Sequence, residues 1–197
     1  MSQRELLALV AAVLRDARVG FMVTGSTVSS LQGAPRSTHD VDVVVALART
    51  DEDTPRRLAA AFTPPDYYLD EAAARAAVAG RGMFNLLQVR TGFKVDFWLL
   101  TDDAFDQSRF ARRRTVPIDP LAAGGQVVDV SAPEDTILMK LRWSALSGGS
   151  AKQFTDALRV YEVQRPALDL AYIDAWADRL ALRDEWDRLR REAIDAP

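Results

Sequence analysis

Cysteine is absent from this chain of 197 residues, which excludes disulfides, thiolate metal sites and thiol catalysis. Histidine occurs once, at His39, so a multi-histidine zinc centre is excluded and a Ser-His-Asp triad is disfavoured. Lysine is almost as scarce. Positive charge is written as arginine 22 times and as lysine only at Lys94, Lys140 and Lys152. The chain lacks a leader pattern and any apolar run long enough to cross a bilayer, so no membrane is expected and the cytoplasm is the expected address. Neither sign of charge dominates: the net charge is −3, and a cut after Val130 leaves 15 basic against 16 acidic residues before it and 10 against 12 after it. Such a balance gives no basic face for extensive contact with a nucleic-acid backbone. The local exception is Arg109 with Arg112, Arg113 and Arg114.

What is present reads as an ordinary globular protein, 48% hydrophobic and 27% charged. Ser2 to Glu5 forms a capping-box pattern ahead of an amphipathic helix. A short strand, Val19 to Thr24, ends at Gly25-Ser26 and leads into a brief helix closed near Gly33. The β-branched run from His39 to Ala46 is a second strand. Met83 to Arg90 and Phe93 to Leu100 read as two strands joined at Thr91-Gly92, a hairpin turn signal. Thr101 to Arg113 reads as helix, and Val116 to Ile118 and Gln126 to Val130 as short strands. After Val130 the character changes. Ser131 to Glu134 is a second capping-box pattern, and four helices follow at about 133–146, 151–164, 170–180 and 183–194. The expected architecture is α+β: a mixed sheet flanked by helices over 1–130, then a helical bundle over 131–197.

Asp40-Val41-Asp42, reached fourteen positions after Ser26, carries the chemistry. Alternate residues of a strand share a face, so both carboxylates point one way with Cα atoms about 6.5–7 Å apart. Val41, Val43 and Val45 then face a core. Two acids held this way repel each other unless a cation lies between them. In the later strand Val95, Phe97 and Leu99 share one face, and Lys94, Asp96 and Trp98 the other. If that strand neighbours the Asp40 strand, Asp40, Asp42 and Asp96 would converge and could hold two Mg²⁺ ions, with Mn²⁺ as a substitute. Gly25-Ser26, at a strand-to-helix turn, would let backbone N–H groups and a hydroxyl approach a phosphate, or would serve simply as a turn and helix cap. The three lysines fall in or beside these segments, where a compact ammonium could face phosphate.

Gly25-Ser26, Gly33, Arg36, Thr38 and Asp40-Val41-Asp42 together resemble motif one of the DNA polymerase β-like nucleotidyltransferase superfamily, in the form found in AbiEii-type and related minimal bacterial members. Phe93 to Asp96 resembles the strand bearing that family's third carboxylate. Pro133-Glu134-Asp135 running to Lys140 is similar to the segment opening its helical part, and Lys152 to Asp156 to its last motif, although Gln153 replaces an expected acid. The resemblance covers Gly20 to about Arg159. It implies transfer of an NMP from an NTP to a hydroxyl, with Asp40, Asp42 and Asp96 holding metal. Gly25, Ser26, Arg36, Thr38, Lys140 and Asp156 would lie at the nucleotide. It also implies a choice of acceptors, an RNA or tRNA end, a protein or an antibiotic-like small molecule, and a cognate antitoxin if the chain is a toxin. A non-catalytic nucleotide-binding module on the same fold is the competing reading, motivated by Gln153. Solvent-facing readings stand beside these roles: Lys140 could snorkel, Lys152 and Asp156 are spaced as a surface ion pair, and the arginine cluster could be a solvated helix end. His39 points away from Asp40 across its strand, which reads as a packed or edge histidine rather than a catalytic base.

Overall fold

The computed structural model describes residues 1–118 and 126–194. Its elements are α1 (Gln3–Asp16), β1 (Gly20–Thr24), α2 (Gly25–Gln32), β2 (Asp40–Ala46), α3 (Asp53–Ala61), β3 (Tyr67–Tyr68), α4 (Glu71–Gly80), β4 (Met83–Gln88) and β5 (Lys94–Leu99). They continue with α5 (Ala104–Ala111), β6 (Arg114–Pro117), β7 (Val127–Val130), α6 (Pro133–Leu146), α7 (Ala151–Gln164), a 3₁₀ turn at Arg165–Ala167, α8 (Leu170–Arg179) and α9 (Arg183–Ile194). Two compact units result: residues 1–24 with 38–130, and residues 25–37 with 131–197. Residues 195–197 of the expected helical part lie outside the described residues.

In the first unit, the described strands form one mixed sheet in the order β3-β4-β5-β2-β1-β7-β6. β1 runs antiparallel to β2, whereas β2 and β5 are parallel neighbours, joined by the long excursion through α3, β3, α4 and β4. The β4–β5 hairpin turns at Gly92, whose φ of 71° a side chain would resist. One face of the sheet is apolar: Val41, Val43, Val45, Val95, Phe97 and Leu99 are all buried, as are Leu6, Val10 and Leu14 of α1. Burying each such side chain contributes about 1.5–3 kcal/mol. Phe84 and Phe97, opposite each other in the β4–β5 register, stack with centroids 4.8 Å apart. The other face is divided. At one end Met22, Val44 and Leu100 form a small apolar cluster with Ala46, Trp98 and Phe110 packed on it; at the other end β2 and β5 present their acids.

The second unit gathers α2 with α6 to α9. Residues 25–37, expected within the first domain, are part of this unit instead. Their attachment is close: a Cβ on Gly33 would lie 2.8 Å from the backbone nitrogen of Val160 in α7, a separation only glycine permits. Gln32 donates its side-chain amide to the backbone carbonyl of Ser131 at 2.6 Å, and its backbone carbonyl accepts from the Gln164 side chain at 2.8 Å. The expected capping box at Ser131–Glu134 does not form. Ala132 is the N-cap of α6 with no side-chain hydrogen bond, and Pro133 opens the helix. Glu134 is used elsewhere: its carboxylate accepts from the backbone N–H of Asp169 at the start of α8, while Asp135 accepts from the Tyr172 hydroxyl at 2.7 Å. Both acids are buried, so this motif fastens α6 to α8. α5 starts at Ala104 rather than Thr101 because the Asp103 carboxylate caps it, accepting from the N–H groups of Phe105 and Asp106. No helix among the described residues is long and apolar enough to cross a membrane.

Candidate active site

On the polar end of the β2–β5 surface, the parallel register pairs Asp40 with Lys94 and Asp42 with Asp96. Paired positions of adjacent strands share a face, so all four side chains, with Trp98, project from the same side. The Lys94 ammonium lies 3.0 Å from Asp96 Oδ2 and 3.8 Å from Asp40 Oδ1. The hydrogen bond to Asp96 raises the Lys94 pKa; burial opposes the shift, and the charges of Asp96, Asp40 and Asp42 add to it. The indole N–H of Trp98 donates to Asp42 Oδ1 at 3.1 Å, fixing that carboxylate from the apolar side of the face. Asp96 is 7% exposed, and its second oxygen, Oδ1, is buried with no hydrogen-bond partner. A buried carboxylate oxygen left so is costly unless a cation or donor reaches it.

Among the described residues, no three acidic or histidine side chains are gathered closely enough to hold a metal ion as they stand. The residues nevertheless fit a hard cation in chemistry and placement. All three are carboxylates on neighbouring stiff strands, and Asp96 has an oxygen in need of a positive partner. Asp40, Asp42 and Asp96 would be the ligands.

The second unit carries a cluster of opposite sign around Ser26. Gly25 takes a φ of 70° as the chain turns out of β1, and Ser26 follows in the first turn of α2. Ser26 Oγ accepts from Arg36 Nη2 at 2.7 Å and lies 3.3 Å from Lys140 Nζ. Both cations converge on Asp156 of α7. Arg36 grips it with two nitrogens, Nε to Oδ1 at 3.0 Å and Nη2 to Oδ2 at 2.7 Å, and Lys140 donates to Oδ2 at 2.8 Å. Ser29 adds a longer hydrogen bond to the same oxygen at 3.4 Å. Burial pushes the Asp156 carboxyl up, but the hydrogen bonds from Arg36 and Lys140 outweigh it and hold the group below the ordinary carboxylate range. The Arg36 guanidinium is correspondingly raised by its bond to Asp156.

These positions alter several expectations. Lys140 does not snorkel, since its side chain is only 5% exposed. Asp156 pairs with Lys140 and Arg36 rather than with Lys152, which is exposed on α7. Thr38 is turned to the backbone of β2, its hydroxyl donating to the Asp40 carbonyl at 3.2 Å. Two members of the arginine cluster are held within the first unit: Arg109 pairs with Asp106 at 2.8 Å, and Arg113 pairs with Asp129 at 3.0 Å while lying over Phe110. His39 packs near Phe93, with ring centroids 6.0 Å apart. Gln153 has a buried side-chain oxygen without a partner. Three residues acquire parts that the sequence reading did not assign: Lys94 as counter-ion, Trp98 as support for Asp42, and Ser29 at Asp156. The alternation that placed Lys94 and Trp98 on the face of Asp96 was the available signal for the first two.

Comparison with known proteins places the fold. Among solved structures, the chain resembles an antigenic nucleotidyltransferase-like protein from Paracoccidioides brasiliensis, with a TM-score of 0.55 and 20% identity over 84% of this chain and 76% of that one. It also aligns with the antibiotic-resistance factor ANT(2'')-Ia at a TM-score of 0.48 and 15% identity, over 98% of both chains. No protein-family model and no curated protein sequence matches. The mixed sheet with its flanking helices is thus a nucleotidyltransferase-like fold.

Proposed function

We propose that this chain is a Mg²⁺-dependent nucleotidyltransferase that moves an NMP from an NTP onto a hydroxyl and releases pyrophosphate. The observation that carries the proposal is the pairing of Asp42 with Asp96 on adjacent parallel strands, with a buried Asp96 oxygen lacking a partner. In this reading Asp40, Asp42 and Asp96 would hold the metal, and Asp96 would also orient the acceptor hydroxyl. Magnesium, when bound, neutralises charge on the triphosphate and lowers the pKa of the attacking hydroxyl. Trp98 holds Asp42 in its rotamer, so less order has to be created on binding. Gly25 and the Ser26 hydroxyl bind phosphate oxygens through the N-terminal turn of α2. Arg36 and Lys140 give that turn an excess of positive charge, and Asp156 fixes both cations in place.

A small hydroxylated acceptor is favoured over a long RNA, because Arg109 and Arg113, two of the four arginines gathered at 109–114, are spent on Asp106 and Asp129. The AbiEii-type resemblance supplies the rival acceptor, a tRNA end, together with a toxin role and an antitoxin partner. Purified protein would be incubated with each α-labelled NTP, Mg²⁺ and separated cell RNA, protein and metabolite fractions. Label in the metabolite fraction, abolished by EDTA, is the expected result, and label in RNA would assign the toxin-like acceptor. Absence of label everywhere, together with calorimetry showing no metal-dependent nucleotide binding, would overturn the enzyme in favour of an inert module.

A further inference from the structure

Lys94 shares the β2–β5 surface with Asp40, Asp42 and Asp96. Its ammonium touches Asp96 Oδ2 at 3.0 Å and lies 3.8 Å from Asp40 Oδ1, so one positive group contacts two of the three candidate metal ligands. The pairing is graded in depth. The Asp96 side chain is 11% exposed, that of Lys94 34%, and that of Asp40 53%. The ammonium thus reaches the acids from the solvent side on a flexible four-carbon stem and can leave without disturbing the core. No planar fork of hydrogen bonds holds it, as one holds Arg36 on Asp156.

We propose that Lys94 is a built-in counter-ion that competes with divalent metal for Asp96 and Asp40. The inference rests on the reading of those acids as metal ligands and adds a regulation to it. While the ammonium is docked, the carboxylates are partly neutralised and their repulsion is relieved. A divalent cation must displace it, and therefore binds weakly on its own. A nucleotide triphosphate changes the balance, because its oxygens supply both further metal ligands and a new acceptor for the displaced ammonium. The entering species is therefore the metal–nucleotide complex, and the enzyme avoids holding bare metal between turnovers.

The test is Mn²⁺ binding without nucleotide, read from the electron paramagnetic resonance signal of the free ion, for wild type, K94M, K94R and D96N. Removing a partly exposed ammonium at these separations should tighten Mn²⁺ binding about tenfold in K94M. K94R, which keeps the charge, should stay near wild type, and D96N should bind weakest. Thermal melting in EDTA should show K94M less stable than wild type, with a larger gain on adding Mn²⁺. Equal or weaker Mn²⁺ binding by K94M, with D96N still impaired, would overturn the counter-ion role and leave the metal-ligand reading standing. No Mn²⁺ binding by any of the four proteins would overturn both. If K94M does not fold, K94Q carries the same comparison and decides it.

Discussion

On β2 and β5, three carboxylates face a single ammonium; around Ser26, two cations face a single carboxylate. The two clusters also differ in how completely they are satisfied. Asp156 accepts four hydrogen bonds and is held by two elements of its unit, whereas Asp96 leaves one buried oxygen with nothing to bind. A saturated cluster is rigid and already complete, and its excess positive charge is fixed. An unsaturated one keeps a site for something it does not itself contain. The first has no carboxylate oxygen left over for a further partner, and the second leaves Asp96 Oδ1 for one.

The sharpest way to break this comparison is Asp42→Asn, which removes ligand charge but keeps an oxygen for Trp98. Labelled NMP transfer should fall at least about a thousandfold, as when a group that stabilises transition-state charge is lost. Circular dichroism should be unchanged; near-normal transfer would remove metal from the mechanism. On the other side of the comparison, Asp156→Ala strands the buried Lys140 and removes the partner of the half-buried Arg36, and leaving a buried charge unpaired typically costs about 3–5 kcal/mol. Urea unfolding would show it, and a loss under 1 kcal/mol would mean that the cluster relaxes into solvent.

The pH dependence of the same pair has a defined sign. Because the folded Asp156 carboxyl lies below its ordinary value, its contribution is fully present above the unfolded pKa of about 3.9 and is lost as pH falls through the folded value. The stability gap between wild type and Asp156→Asn should be constant from neutral pH down to about 5 and close at lower pH. A gap that narrows near neutral pH would assign it to another group. Gly33→Ala should destabilise the second unit by about 1–3 kcal/mol, because the added methyl meets the backbone of Val160 at 2.8 Å. The smallest effect belongs to Trp98→Phe. Losing one hydrogen bond to Asp42 should weaken Mn²⁺ binding severalfold, in line with about 1 kcal/mol.

Much of this was legible in the sequence where the information is local. Alternation in Asp40–Ala46 and Lys94–Leu99 assigned both faces, and Thr91-Gly92 marked the hairpin. The four helices expected at about 133–146, 151–164, 170–180 and 183–194 are observed at Pro133–Leu146, Ala151–Gln164, Leu170–Arg179 and Arg183–Ile194. What escaped depends on contacts far apart in the chain. Nothing near Lys140 indicates that Asp156, sixteen residues on, will take it out of solvent, or that Arg36, 120 residues before Asp156, will join them. The 25–37 segment reads as part of the sheet domain because it interrupts two strands; its helix nevertheless packs on α7, through a glycine whose role appears only when Val160 is beside it. Glu134 matched a capping pattern, but a buried N–H at Asp169 claims it, a case of a tertiary partner overriding a local motif.

The central claim is that Asp40, Asp42 and Asp96 bind divalent metal together with a nucleotide. Anomalous diffraction from crystals grown with Mn²⁺ and a non-hydrolysable NTP tests it most directly. The account predicts metal peaks at ligand distance from all three carboxylates, with Lys94 displaced from Asp96. Nucleotide bound with manganese absent from those acids, or held by other residues, would contradict it.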